Sequence, residues 1–226
     1  MGHRIDIPDW ALKRARSMNC FTALDPARTA LVVVDLQNGF LTSGTAAAEQ
    51  FGLPILPNVN QLIAAARRAG STVAFLRQTF SEAPLVDLAP WQKEVSPGIA
   101  RLRQLLRPGD LAHEVHPDLD VRPGDPVIDK FRHSAFARHS SGLEAVLVER
   151  GVDTLVITGA MTNVCCESTA RDAYALGYRV FFISDATAAL TDEEHNAALL
   201  NLSMCFADVR TTDDMLPLFD AARSDA

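Results

Sequence analysis

The chain has 226 residues, 48% of them hydrophobic and 22% charged, with a formal net charge of −7. Such a length and balance suit one α/β domain with a full core. The acidic balance argues against nucleic acid and anionic membrane as partners, but not against a small anionic substrate, because one Lys or Arg can dominate a pocket.

Residues 1–28 read as an N-terminal arm ahead of a single domain over 29–226. No apolar h-region follows Met1 and no apolar run is long enough to span a bilayer, so a cytoplasmic protein is expected. Pro8 and Asp9 open a short helical pattern to Ala15, with Trp10 placed to pack on the body or on a second subunit. Residues 29–36 form a continuous β-branched apolar run, the pattern of a strand buried on both faces, and Asp35 sits at its carboxyl end. Residues 37–52 read as loop. A helix is expected over 57–69, ended by Gly70, and a strand over 71–78 with Arg77 and Gln78 at its carboxyl end. The stretch 79–125, with Trp91 and a helical pattern at 98–106, is too long for a simple connection and reads as a lid or pocket wall. A short strand over 126–130 ends in Lys130. Then follow a helix over 141–150, a strand over 153–158, a turn at Gly159 and a helix from Asn163 to Leu176. A strand over 179–184, a helix over 191–204 opened by a capping box at Thr191 and Glu194, a strand over 207–210 and a helix over 212–222 complete the chain. The alternation predicts a three-layer α/β/α fold with a central, mostly parallel sheet.

Asp35, Lys130 and Cys165 then fall at carboxyl ends of strands, where open α/β sheets bind ligands. A thiol in the first turn of a helix meets unpaired N–H groups and the positive end of the dipole, which favour a thiolate and an oxyanion. Asp35 is suited to take the thiol proton and Lys130 to stabilise the thiolate. Each residue also has a plain structural reading: Cys165 as inert core, Asp35 as a turn cap, Lys130 as a solvated lysine or a structural ion-pair partner. The four cysteines, Cys20, Cys165, Cys166 and Cys205, show no zinc spacing and read as reduced thiols.

Three stretches carry a resemblance. They are Leu31-Val32-Val33-Val34-Asp35-Leu36-Gln37-Asn38-Gly39-Phe40, then Asp129-Lys130-Phe131-Arg132-His133-Ser134-Ala135-Phe136, then Gly159-Ala160-Met161-Thr162-Asn163-Val164-Cys165 with Glu167 to Asp172 behind it. In this order they resemble the isochorismatase-like cysteine hydrolases, over about residues 26–222. The resemblance implies the isochorismatase-like hydrolase fold, with Asp35 as base, Lys130 as its partner and Cys165 as nucleophile. It implies a cis peptide at Ala160–Met161, with the amides of Met161 and Cys165 facing an oxyanion. The residue after the family's nucleophile is usually Val, here Cys166, and the spacing from Gly159 and Thr162 favours Cys165.

Isochorismatases proper lack the nucleophilic Cys, and the Asp-x-His metal motif of nicotinamidases is missing between residues 36 and 125, so neither metal nor cofactor is expected. The third stretch looks closest to the ureidoacrylate and carbamoyl amidohydrolase branch. The implied activity is hydrolysis of a C–N bond in a small ureido, carbamoyl or amide substrate through a thioester, with release of ammonia. The alternatives are an isochorismatase-type C–O hydrolase, a nicotinamidase-like amidase and a catalytically silent scaffold. A homodimer or homotetramer is expected from the resemblance. Substrate-contact candidates are Gln37, Asn38, Phe40, Arg77, Gln78, Trp91, Phe131, His133, Phe136, Thr162 and Asn163. Arg77 is the sharpest of these because Arg grips carboxylates bidentately, and Asn163 reads better as a helix N-cap.

Overall fold

The computed structural model describes residues 2–41, 52–82, 89, 91–92 and 97–221. Parts of the expected lid (83–88, 90 and 93–96), most of the loop after Asp35 (42–51) and the last residues (222–226) lie outside it.

Six strands form one sheet: β1 (Thr29–Val34), β2 (Thr72–Gln78), β3 (Val127–Lys130), β4 (Thr154–Ala160), β5 (Arg179–Ala188) and β6 (Asp208–Arg210). Their order is β3-β2-β1-β4-β5-β6 and every pairing is parallel. The chain builds one way from β1 to β3, then returns to β4 on the other side of β1. The crevice for a ligand therefore opens between the carboxyl ends of β1 and β4. Strand runs such as Thr29–Val34 are buried at every position because helices cover both faces.

One face buries Leu31, Val33, Val73, Phe75, Val156 and Phe181 under α3 (Leu56–Ala69) and α8 (Thr212–Ala221). The other buries Ala30, Val32, Val34, Leu76, Leu155 and Ile157. It lies under α5 (Leu143–Glu149) and α6 (Glu167–Ala175). Before these come α1 (Asp9–Ala15), the single turn α2 (Asn38–Leu41) and α4 (Pro97–Leu105); α7 (Asp192–Asn201) follows β5.

Four local expectations are corrected. The stretch after Asp35 is not all loop, since α2 forms within it. Gly159 is not the turn: β4 runs through it to Ala160. Its φ is +114°, and a Cβ there would lie 2.1 Å from Val34 O, so the close approach of β1 and β4 demands glycine. The nucleophile segment opens as a π-helical turn, Thr162–Cys166, and only then becomes α6. β5 continues four residues past Ser184, and α7 likewise hands over to a π-helical turn, Leu202–Phe206. The side-chain cap at Thr191 is present, accepting Glu194 N–H at 3.1 Å.

Candidate active site

Alternation along β2 and β3 sends Gln78 and Lys130 to the face of Leu76 and leaves Arg77 and Asp129 on the face of Phe75. The same rule would send Asp35 to the face of Leu31 and Val33. Asp35 instead has φ +52°, a left-handed conformation that Asp tolerates better than most residues. Its carboxylate is thereby brought to Lys130: Oδ2 lies 2.8 Å from Nζ, with both side chains almost fully buried.

Lys130 Nζ also donates to Gln78 Oε1 at 2.6 Å, to Arg132 O at 3.0 Å and to Cys165 Sγ at 3.3 Å. Three protons thus face four acceptors. The Asp35 contact is an ion pair outside strict hydrogen-bond geometry, and among the described residues neither Asp35 oxygen has a partner that meets that geometry. A buried carboxylate in this condition has acceptor capacity to spare.

Cys165 is 8% exposed and sits in the core cluster beneath α6. Burial first, and the Asp35 anion second, push its thiol up to about 12, while Lys130 pulls it down. The resting sulfur is therefore a neutral thiol, not the stabilised thiolate that a helix start suggested. The reason is that desolvation outweighs the neighbouring cation. Burial also opposes the charge on Lys130, but the Asp35 carboxylate and Cys165 outweigh it, and Lys130 is raised. The Lys130 ammonium thus stands beside a neutral thiol. Cys166 lies behind it, fully buried, with its sulfur 3.9 Å from Thr158 O. Burial raises that thiol well above its ordinary value. The contact to Lys130 at 3.3 Å is made by Cys165. The Ala160–Met161 peptide is cis.

His133 joins this group, with Nδ1 3.8 Å from Cys165 Sγ. Burial and then Lys130 hold its pKa below the usual value, so it is a neutral imidazole at neutral pH. Gln78 holds Lys130. The other candidates are placed elsewhere. Gln37 is fully buried, and its amide binds Gln78 N, Gln78 O and His113 O, which ties the ends of β1 and β2. Asn38 donates to Leu111 O. Arg77 is bonded to Asp129 and Glu114 on the opposite face, so its fork is engaged there and not at Cys165. Trp91 is 68% exposed. Phe136 packs on Tyr178 and the core. Phe131 and Phe80 line a cavity of about 330 Å³ with Arg103, Arg107 and Glu82. Thr162 is fully buried and faces His195, not a ligand. Asn163 is not the N-cap: Met161 holds that position, without a side-chain cap. Phe40 is half-buried in α2.

Residues 29–214 match the isochorismatase domain. The chain belongs to the isochorismatase family. It is 35% identical to the ureidoacrylate amidohydrolase RutB of Pseudomonas syringae pv. syringae, over 95% of this chain and 94% of that protein. A cysteine hydrolase from Pseudomonas syringae pv. phaseolicola has a similar structure, with TM-score 0.79 and 29% identity, covering 91% of this chain and 98% of that one. The N-carbamoylsarcosine amidase of Thermoplasma acidophilum matches with TM-score 0.66 and 26% identity over 82% and 97% of the two chains. This isochorismatase-family hydrolase thus shares its fold with cysteine hydrolases and amidases. Among its described residues no helix is long and apolar enough to cross a membrane.

Proposed function

We propose that the protein is a cysteine-dependent amidohydrolase acting on a small ureido, carbamoyl or amide substrate. The observation that carries this reading is the contact of Lys130 with both Asp35 and Cys165, at 2.8 and 3.3 Å. The amidohydrolases among its relatives support the same class of bond.

The neutral thiol sets the order of events. Asp35 takes the Sγ proton as sulfur bonds to the substrate carbonyl carbon, so the thiolate forms only as it is consumed. The carbonyl oxygen becomes an oxyanion that accepts from the backbone N–H groups of Met161 and Cys165. As the tetrahedral centre collapses, the C–N bond breaks, and Asp35 returns its proton to the leaving nitrogen, which departs as ammonia. Water then attacks the thioester, Asp35 takes its proton, and the C–S bond breaks to restore the thiol. A ureide yields a carbamate, which loses carbon dioxide. Lys130 keeps its charge throughout and holds Asp35 in place until the proton moves. The acceptor oxygens of Asp35 match an –NH2 group, which an ester or enol ether lacks.

The test is ammonia release from a panel of small ureides, carbamoyl acids and amides, with wild type and Cys165→Ala compared. Turnover by wild type that vanishes in Cys165→Ala is the expected result. Equal rates in both proteins would refute the covalent route.

A further inference from the structure

The chemistry above leaves the buried imidazoles of His195 and His3 unused. His195, on α7, is fully buried, and its Nδ1 lies 2.9 Å from Thr162 Oγ1. Thr162 is equally buried and is the first residue of the π-helical turn that carries Cys165. The His195 ring stacks on that of His3, with centroids 4.2 Å apart and planes 10° from parallel.

His3 comes from the arm, and its side chain is 1% exposed. Its Nε2 accepts the Ala189 N–H at 2.9 Å, which places its own proton on Nδ1, facing Asp192 Oδ1 at 2.8 Å. The arm continues this contact along the first turns of α7. Arg4 N and Asp6 N donate to Asp192 and Asn196, and Asn196 Nδ2 donates back to Arg4 O.

We propose that His195 is a positioning residue for the nucleophile turn, and that His3 of the arm locks it in place. A phenylalanine would fill the space of His195 with no polar atom to desolvate, whereas a buried imidazole is stabilising only through its hydrogen bonds. The hydrogen bond of His195 Nδ1 is to the first hydroxyl of the turn, which has no side-chain cap of its own at Met161. Burial and then His3 hold the His195 pKa down at about 4, so this tie is between neutral groups at neutral pH. It fixes the turn without adding charge near the Asp35–Lys130 pair. The pull on Cys165 runs through one hydroxyl and three residues of backbone. An error of about 1 Å at a reacting atom costs on the order of a hundredfold in rate.

This inference rests on Cys165 being the nucleophile, so its test carries one readout that needs no substrate: the rate of Cys165 alkylation by iodoacetamide, followed by intact mass. The variants are Thr162→Val and His195→Phe, which remove the bond and keep the shape, His195→Asn, which keeps a polar atom near the place of Nδ1, and His3→Ala. Loosening the turn exposes the thiol and relieves its desolvation. Thr162→Val and His195→Phe are therefore expected to alkylate faster, by roughly threefold or more, while kcat falls roughly tenfold at an unchanged KM. His195→Asn restores both readouts most of the way, and His3→Ala shifts both in the same sense by less. Alkylation within about twofold of wild type in both Thr162→Val and His195→Phe overturns the proposal. So does a loss that merely follows the fall in melting temperature and is not rescued by His195→Asn. Failure of the amidohydrolase reading shows differently, as turnover that survives Cys165→Ala, and leaves the alkylation result standing.

Discussion

Two charged clusters sit at the carboxyl ends of β2 and β3, one residue apart in sequence and on opposite faces of the sheet. On one face Arg77 bonds Asp129 and Glu114, at 2.9 and 3.1 Å, with Arg77 18% and Glu114 52% exposed. On the other, Lys130 meets Asp35 and Cys165, all three buried. The first cluster uses the fork of Arg77 on its own carboxylates and stays in reach of solvent, which is how a structural ion pair is built. The second leaves both Asp35 oxygens without a well-formed hydrogen bond among the described residues and holds a thiol beside them. The difference shows that charge at a strand end does not by itself mark a site. The informative signs are burial and acceptor capacity left unused by the protein.

The contrast breaks most sharply at Asp35. Asp35→Asn is expected to cut ammonia release by about 10²–10⁴-fold, the worth of a positioned general base. The same change removes the anion that raises the Cys165 thiol and leaves Lys130 lowering it. Alkylation of Cys165 at neutral pH should therefore become faster as turnover is lost. A fall in both rates would sink this account of the site.

Lys130→Met strands Asp35 as a buried carboxylate without its cation. Denaturant titration should find the protein about 3–5 kcal/mol less stable. Alkylation should slow as well, because the group that lowers the thiol is gone.

The pH dependence of wild-type alkylation is a milder probe. A thiol whose pKa is raised to about 12 supplies a thiolate fraction that grows about tenfold per pH unit below that value. The rate should climb from about pH 6 to pH 9 with no plateau. A plateau near pH 7 would mean a resting thiolate.

The smallest effect is expected on the other face. Arg77→Met removes a partly exposed pair, so a loss of no more than about 1 kcal/mol is predicted. Its KM for any confirmed substrate should match wild type; a large rise would return Arg77 to the site.

Much of the fold was legible in the chain. The six strands and the helices after β1, β3, β4, β5 and β6 follow from period and punctuation, because apolar runs such as Thr29–Val34 are buried whichever way they face. The meeting of Asp35, Lys130 and Cys165 was legible from strand ends together with the three motifs. Arg77 was misplaced because its assignment ignored parity: adjacent strand residues face opposite ways, and Gln78 took the site side. His195 left no signal, since a lone His within a helical pattern carries no mark of the Thr162 hydroxyl it will meet.

Local chemistry along the chain determined which residues make the strands, where they end and which thiol the third motif offers. Three things were decided only by the tertiary structure. The left-handed turn at Asp35 swings its carboxylate across the sheet to Lys130. Burial beside that carboxylate keeps Cys165 a neutral thiol. The arm returns to α7 and stacks His3 on His195. Each depends on groups far apart in sequence and on the removal of water between them, and none is written in any local pattern.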